Sequence, residues 1–397
     1  MDKLIGTPYF LLHENAIREN IEGFRSALDE LWPNSIIAYS EKTNALPWIL
    51  QWMNQNGVFA EVVSDAEYEV ALLSGFPDDH IIFNGPIKGD SYLRRALGNG
   101  AYVNIDSAHE VEMIEKEQPM IKGRLGIRVN VNPILFNVDD VGYQEDGFRF
   151  GFSEESGELG AVLEKLSGIY GRKEFGLHLH VNSVTRSLAV YRVIANYAAQ
   201  IIQKHNLTPS YLDIGGGFFG GIQGKPTPWE YIETIKQELD NTVDILNTKL
   251  IIEPGSAAIG SAVELHTTVL DVKDTECARI VTTDGSRIHI DPLWQKKKYV
   301  YSTDAKKPAY PKQVICGYTC MDHDRIMVIE NQPELSVDDQ IIYHRVGNYT
   351  VTLGGPFIVP FPAVYVECKS NLRMIRKPME ITDYFKMETI DNELSNV

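Results

Sequence analysis

The stretch IIAYSEKTNALPW, residues 36–48, carries an apolar run, Ile36 to Tyr39, straight into a lysine, Lys42, then Asn44 and a helix-like segment. A short, uninterrupted apolar run is the pattern of a strand covered on both faces, as in a parallel sheet flanked by helices. A lysine at the tip of such a strand usually carries a solvated charge. Whether Lys42 has another purpose depends on how the rest of the chain is arranged around it.

Before this strand, residues 14–31 place Ile17, Ile21, Phe24 and Leu28 at three-to-four spacing, which predicts a helix. Seven further strand candidates follow the first: 58–62, 81–84, 102–105, 125–131, 174–180, 211–214 and 250–253. Helical patterns fit between them at 45–54, 65–73, 90–97, 108–117, 154–166, 188–204 and 229–240. Strand and helix in strict alternation imply a parallel sheet, and eight such repeats fit a closed barrel better than an open one. After residue 260 the texture changes to short strand-like runs such as AVELHTTVLDV, QVICGYT and DQIIYHR, separated by turn residues. The expected fold class is α/β: a (β/α)8 TIM-like barrel over 14–260, plus a C-terminal all-β domain built from 1–13 and 261–397. The early run PYFLL, residues 8–12, is expected to pair with that later domain.

The totals agree with this division. At 397 residues the chain exceeds the size at which one core usually stops growing. A formal net charge of −17 argues against a nucleic-acid or anionic-membrane surface, because phosphates would be repelled. The N-terminus lacks the apolar core of a signal peptide, and no apolar run reaches the roughly 20 residues that span a bilayer. Cys277, Cys316, Cys320 and Cys368 show no paired metal-ligand spacing. A cytoplasmic enzyme with reduced thiols and no metal is expected.

In a barrel of this kind, chemistry gathers where strands end and the following loops begin. Strand one runs into Lys42, and strand two carries Glu61. Strand six, in GLHLHVNS, ends at His180 with Ser183 just beyond. Strand seven runs into DIGGGFFGG, with Gly215, Gly216 and Gly217 in a row. Strand eight ends at Glu253 in IIEPG. Each feature alone has an ordinary explanation: a solvated lysine, a satisfied histidine, a flexible turn, an exposed glutamate. Together they converge on one rim, and pyridoxal 5′-phosphate is the ligand that uses such a set. Its aldehyde takes a lysine amine, here Lys42. Its phosphate needs closely approaching backbone N–H groups, which glycines permit. Its ring nitrogen needs a carboxylate partner, such as Glu253. Its flat face accepts an imidazole, a role open to His180.

With these residues placed, the chain resembles the alanine-racemase-fold pyridoxal-phosphate decarboxylases, the ornithine, arginine and diaminopimelate decarboxylase group. YSEKTN resembles that family's lysine motif, HVNS its H-[IV]-G-S, and LDIGGGF and EPG match as they stand. GYTCMDHD resembles G-x-x-C-[DE]-x-x-D, which ends here at Asp324, and GNYT resembles G-A-Y. The resemblance implies Ser183 and Tyr349 near the phosphate, and a homodimer with shared active sites in which Cys320 reaches the partner's site. It implies a small amino-acid substrate and no nucleic-acid or membrane partner.

The departures bear on that substrate. Ser256 stands where the family has an arginine after EPG. Met321 replaces the acid that follows the family's cysteine and binds a substrate amine. Asp291, in HIDPLW, stands where diaminopimelate enzymes carry an arginine for the distal carboxylate. A methionine cannot pair with an ammonium, and an aspartate repels a carboxylate. Plain ornithine and diaminopimelate are therefore disfavoured, with Asp322 a neighbouring group that could take over the amine contact. A decorated amino acid, such as an intermediate of siderophore or secondary-metabolite assembly, is the expectation. Arg149, in FRFGF, aligns with the family's K-F-G and is expected to serve its loop.

Two alternatives stay open at this point. One is racemisation on the same fold, against which Glu253 weighs, because racemases of this fold place an arginine at the ring nitrogen. The other is a decarboxylase-like binding protein that has lost its chemistry, against which the intact Lys42, His180, glycine loop, Glu253 and Cys320 weigh.

Overall fold

The computed structural model describes residues 6–171, 174–358, 360–369, 371–380 and 382–383. Of the expected second domain, residues 1–5, 359, 370, 381 and 384–397 lie outside the described set. The chain packs into two units, one over Arg18–Ile259 and the other formed by the described residues up to Ile17 and from Gly260 onward.

The chain begins with β1 (Tyr9–His13) and α1 (Glu14–Leu31). Strand and helix then alternate as β2 (Ser35–Ser40), α2 (Pro47–Gln55), β3 (Phe59–Val62), α3 (Asp65–Leu73), β4 (Ile81–Phe83), α4 (Asp90–Asn99), β5 (Tyr102–Ile105), α5 (Ala108–Glu117) and β6 (Arg124–Asn130). A two-residue strand, β7 (Phe152–Ser153), precedes α6 (Glu158–Tyr170). The series ends with β8 (Gly176–His178), α7 (Leu188–His205), β9 (Tyr211–Asp213), α8 (Pro228–Leu239), β10 (Lys249–Ile252) and the short α9 (Gly255–Ile259).

The strands pair in the order β5-β4-β3-β2-β10-β9-β8-β6, and β5 also pairs with β6, so the parallel sheet closes on itself. β7 is an outlier that adds to β6 alone. This is the expected (β/α)8 barrel. Its helices begin where the sequence supplies caps: the Ser64 hydroxyl accepts from the Glu67 N–H, while Ser107 with Glu110 and Thr227 with Glu230 form capping boxes. The register sets Ser40 beside Glu61 across β2 and β3, so the residues flanking Lys42 are fixed by the sheet itself. Ile36, Ala38, Ile82, Tyr211 and Ile251 pack together in the buried core.

The second unit is mostly β: β11 (Val263–Asp274), β12 (Arg279–Thr283), β13 (Val300–Thr303), β14 (Ala309–Cys316), β15 (Arg325–Pro333), β16 (Gln340–His344), β17 (Ala363–Cys368) and β18 (Asn371–Arg376). One short helix, α10 (Arg287–Ile290), interrupts it. β1 joins this sheet as expected, lying antiparallel to β11 and parallel to β17. β13, β17 and β18 were not legible as strands. The reason is plain for β13 and β18, whose residues are half-buried or exposed and show no apolar alternation. Among the described residues, no helix is long and apolar enough to cross a membrane.

Candidate active site

Lys42 lies in a single 3-10 turn, Glu41–Thr43, entered directly from β2. Its side chain is 38% exposed, while its ion-pair partner Glu61 is 1% exposed, and the Lys42 Nζ–Glu61 Oε2 distance is 2.6 Å. Burial alone would push the Glu61 carboxyl upward, but the Lys42 ammonium and hydrogen bonds from Lys42, Ser40 and Asn84 bring it below its usual value. Glu61 is therefore a carboxylate, held inside β3 and aimed at the lysine.

The adjoining wall is built from β10, which pairs with β2, and from β9 and β8. Glu253 follows β10 by one residue and is buried. Desolvation, with Asp213 and Glu61 nearby, raises its carboxyl well above the usual range, and a hydrogen bond shared with Asp213 adds to the effect. Asp213 is raised too, chiefly by burial. Burial thus shifts both acids of this pair toward their protonated forms. Single ligand atoms of His178, Asp213 and Glu253 lie within 4.8 Å of one another.

Two residues beyond β8, His180 stands with its Nδ1 buried and without a hydrogen-bond partner. Burial, with Arg128 and Lys42 close by, lowers its pKa to about 3, so the imidazole is neutral. Beside it, Arg128 on β6 donates to His178 at 3.0 Å and to the His180 carbonyl at 2.8 Å, while its own Nε is buried without a partner.

The glycine run has a packing role that the sequence reading missed. A Cβ on Gly215, whose φ is +69, would sit 2.4 Å from His180 Nδ1, and one on Gly216 would sit 2.3 Å from the Glu253 carbonyl oxygen. Only glycines let this loop pass between the imidazole and the Glu253 backbone.

These groups line one cavity of about 750 Å³, which contains Lys42, Glu61, Asn84, Arg128, His178, His180 and Glu253. Lys42, Glu61, His180 and Glu253 are brought together from four distant stretches of chain. Ser183 lies just past His180, but its hydroxyl is engaged in its own loop, donating to the Asp140 carbonyl at 3.3 Å and accepting from the Arg186 N–H at 2.7 Å.

The candidates of the second unit are placed as follows. Cys320 and Asp322 are exposed and Met321 is half-buried. Tyr349 adopts a φ of 55 and is 38% exposed. Asp291 and Asp324 are buried, and both carboxylates are hydrogen-bonded within the chain. Asp291 accepts from the Arg287 guanidinium at 2.9 Å and from the N–H groups of Gln295 and Lys296. Asp324 accepts from the Ser286 and Thr319 hydroxyls and the Arg287 N–H, which anchors the start of α10. They hold loops together; neither offers a free carboxylate.

Sequence reasoning overlooked Asn84, Arg128, His178 and Asp213. The available signal was parity: in GIRVNV and HLH, polar residues occupy alternate positions of otherwise apolar strands, which turns them to one face of the sheet. Glu41, directly before Lys42, was also missed. It is fully buried, and neither carboxyl oxygen has a hydrogen-bond partner.

The residues fit pyridoxal 5′-phosphate: an amine, a buried acid whose carboxyl is raised, an imidazole whose Nδ1 has no partner, and a glycine loop packed against the last two. Comparisons with known proteins point the same way. Residues 14–260 match the family model described as pyridoxal-dependent decarboxylase, pyridoxal binding domain. The diaminopimelate decarboxylase of Aquifex aeolicus is 25% identical over 402 residues, covering 97% of this chain and 92% of that protein. That of Bacillus methanolicus is 26% identical over 395 residues, covering 94% and 90%. The crystal structure of the Helicobacter pylori diaminopimelate decarboxylase complexed with L-lysine superposes with a TM-score of 0.83 at 23% identity, covering 97% of each chain. The Paramecium bursaria Chlorella virus arginine decarboxylase gives 0.76 at 20% identity, covering 92% of this chain and 97% of that one. The fold, the convergence of polar groups on one cavity and the family match together establish that the chain belongs to the pyridoxal-dependent amino-acid decarboxylases.

Proposed function

We propose that this protein removes the α-carboxylate of an amino acid or amino-acid conjugate, with pyridoxal 5′-phosphate held at Lys42. The observation that supports this reading best is the pairing of Lys42 with Glu61 at 2.6 Å in the same cavity as the buried Glu253.

Pyridoxal 5′-phosphate, when bound, supplies an electron sink for the Cα–carboxylate bond that breaks. Lys42 would anchor it through the side-chain amine, and the Glu61 carboxylate would orient that amine and hold its proton when it is released. Glu253 would meet the ring nitrogen with its buried carboxyl group. The neutral His180 ring offers a flat, uncharged face to stack on, which a protonated imidazole would not. In the glycine loop, Gly216 and Gly217 would offer backbone N–H groups to the phosphate, whereas the Gly215 N–H is donated to Asp213 at 2.9 Å. As carbon dioxide departs, the electron pair of the broken bond stays with Cα, and an acidic side chain then returns a proton to that carbon. Cys320, exposed on this chain, would supply that proton to the site of a second copy, so the working enzyme is a homodimer.

Borohydride reduction of the purified holoenzyme, followed by peptide mapping, tests the anchor: a pyridoxyl label on Lys42 is expected, and none in Lys42→Ala. Carbon dioxide release from a panel of amino acids tests the reaction. Scrambling of the Cα configuration without carbon dioxide release would overturn it.

A further inference from the structure

Outside the cavity, one group of side chains has the composition of a metal site. On the sheet of the second unit, three imidazoles meet the Glu264 carboxylate. His13 Nε2 and His266 Nε2 each lie 3.2 Å from Oε2, and His344 Nδ1 lies 2.6 Å from Oε1. Strand register places them. Across β1 and β11, Leu11 lies opposite Glu264 and Tyr9 opposite His266, while His13 lies beside Glu367 across β1 and β17. Residues an even number apart on a strand share a face, which puts Tyr9 with His13 and Glu264 with His266. β16 brings His344 from the other side of β11. Cysteine spacing pointed to no metal, and no spacing announces this group, because its members come from separate strands.

Each imidazole is also held from behind. His13 Nδ1 lies 2.9 Å from Glu367 Oε2, His266 Nδ1 lies 3.2 Å from the Tyr9 hydroxyl, and His344 Nε2 lies 2.9 Å from the Ser302 hydroxyl. The Tyr9 ring stacks on His266, with centroids 4.6 Å apart and 12° between the planes. Metal-binding histidines are oriented in this way: one ring nitrogen faces the ion, and the other donates its N–H to a carboxylate or another acceptor. Glu264 is suited to be the remaining ligand, because the imidazole hydrogen bonds keep its carboxyl ionised despite burial.

We propose that His13, Glu264, His266 and His344 bind a divalent transition-metal ion, with zinc the best match. Zinc takes imidazole nitrogens and carboxylate oxygens at about 2.0–2.2 Å in a tetrahedron, so neighbouring ligands lie about 3.4 Å apart. The two 3.2 Å separations at Glu264 Oε2 are close to that edge. The imidazoles fan out around the carboxylate, and the His13 and His344 side chains, 29% and 30% exposed, have room to close onto one ion. Three imidazoles and one carboxylate fill the tetrahedron and leave no position for a substrate, so the ion is structural. It ties β1, β11 and β16 together, with Glu367 of β17 holding His13 from behind. Without the ion, His13 faces a carboxylate with each ring nitrogen and carries a proton on both. Binding exchanges the proton on Nε2 for the metal.

The test is calorimetric titration of zinc into the full-length holoenzyme after a chelator has removed bound metal. One zinc per chain at micromolar or tighter affinity is expected, with affinity rising ten-fold or more from pH 6 to pH 8 as the proton on His13 is displaced. Cobalt in place of zinc should give the intense visible absorbance of a tetrahedral ion. The near-ultraviolet band of a cobalt–thiolate bond should be absent, which sets the four cysteines aside. His13→Ala and His344→Ala should each weaken zinc at least ten-fold. Glu367→Gln, which acts only through His13, should weaken it by about ten-fold and keep the tetrahedral spectrum. Millimolar or weaker binding to the wild type would overturn the proposal. So would tight binding that survives both histidine variants, which would mean an adventitious ion only. Where a histidine variant fails to fold, Glu264→Gln takes its place, since it keeps the side chain's shape and removes the charged ligand; undiminished zinc affinity there would equally overturn the proposal.

Discussion

Asn84 Nδ2 stands 2.6 Å from Glu253 Oε1, and the same amide nitrogen reaches Glu61 Oε1 at 3.1 Å. One side chain thus links two buried acids that are shifted in opposite directions, Glu61 downward by its lysine and Glu253 upward by burial and its acidic neighbours. Asn84 is itself held by the Asn104 amide at 2.8 Å, and Asn104 is held by the Tyr211 hydroxyl at 2.7 Å.

Replacing Asn84 by leucine removes the bridge and leaves two buried carboxyl oxygens short of a donor. A loss of about 1–3 kcal/mol in unfolding free energy is expected, since each orphaned buried acceptor carries its desolvation penalty. Cofactor affinity should fall at least ten-fold, measured by titrating pyridoxal 5′-phosphate against the absorbance of the bound form. Asn84→Asp should be worse than Asn84→Leu, because it adds a third acid to the pair.

Gly215→Ala tests the packing role of the glycine loop. The added methyl would lie 2.4 Å from His180 Nδ1 at a φ of +69, so the imidazole must move and the backbone must strain. The backbone term alone costs about 1 kcal/mol. A ten-fold or greater loss of cofactor affinity with a folded far-ultraviolet spectrum is the expected outcome. Unchanged affinity would show that the ring need not occupy its present place.

Glu41 gives a pH-dependent prediction. Burial, with Glu67 and Glu61 nearby, raises its pKa from 4.5 to about 9. Its folded form is therefore protonated across a range where the unfolded chain has already released the proton. Stability contributed by this residue is present below about pH 4.5 and is lost progressively as pH rises toward 9. Glu41→Gln keeps the shape and removes the titration. The stability difference between variant and wild type, read from chemical denaturation at pH 5 to 9, should grow in the variant's favour with pH. A constant difference would mean that Glu41 is ionised or hydrated in the folded protein.

On the sheet of the second unit, Glu264 is surrounded by His13 Nε2 and His266 Nε2, each at 3.2 Å, and by His344 Nδ1 at 2.6 Å. His13 also meets Glu367 at 2.9 Å. Hydrogen bonding to Glu264 raises the His13 pKa above 6.5, so its stabilising contribution is complete below that pH and declines as pH rises through the folded value. Glu264 is lowered despite its burial, because all three imidazoles hydrogen-bond to it, and its contribution is lost only in acid. His13→Asn should therefore cost most near pH 5–6, about 1 kcal/mol after allowance for partial exposure, and progressively less above pH 7. Thermal unfolding across this range checks the trend, and a cost that rises with pH would contradict it.

Much of this protein follows from local pattern. The eight barrel strands were readable because both of their faces are covered, which leaves continuous apolar runs. Their helices were readable from apolar residues at three-to-four spacing, as at Ile17, Ile21, Phe24 and Leu28. Lys42, His180 and Glu253 stood out because strand ends are where this architecture exposes side chains to a common space. What sequence could not decide was which polar groups neutralise one another. The fold sets Arg287 against Asp291, and it closes the Ser286 and Thr319 hydroxyls on Asp324. Asn84, Arg128 and Asp213 gained their roles only when a closed barrel brought β4, β6 and β9 around one cavity. Ionisation and pairing depend on burial and on distances of a few ångströms between residues far apart in the chain, and only the tertiary structure sets those.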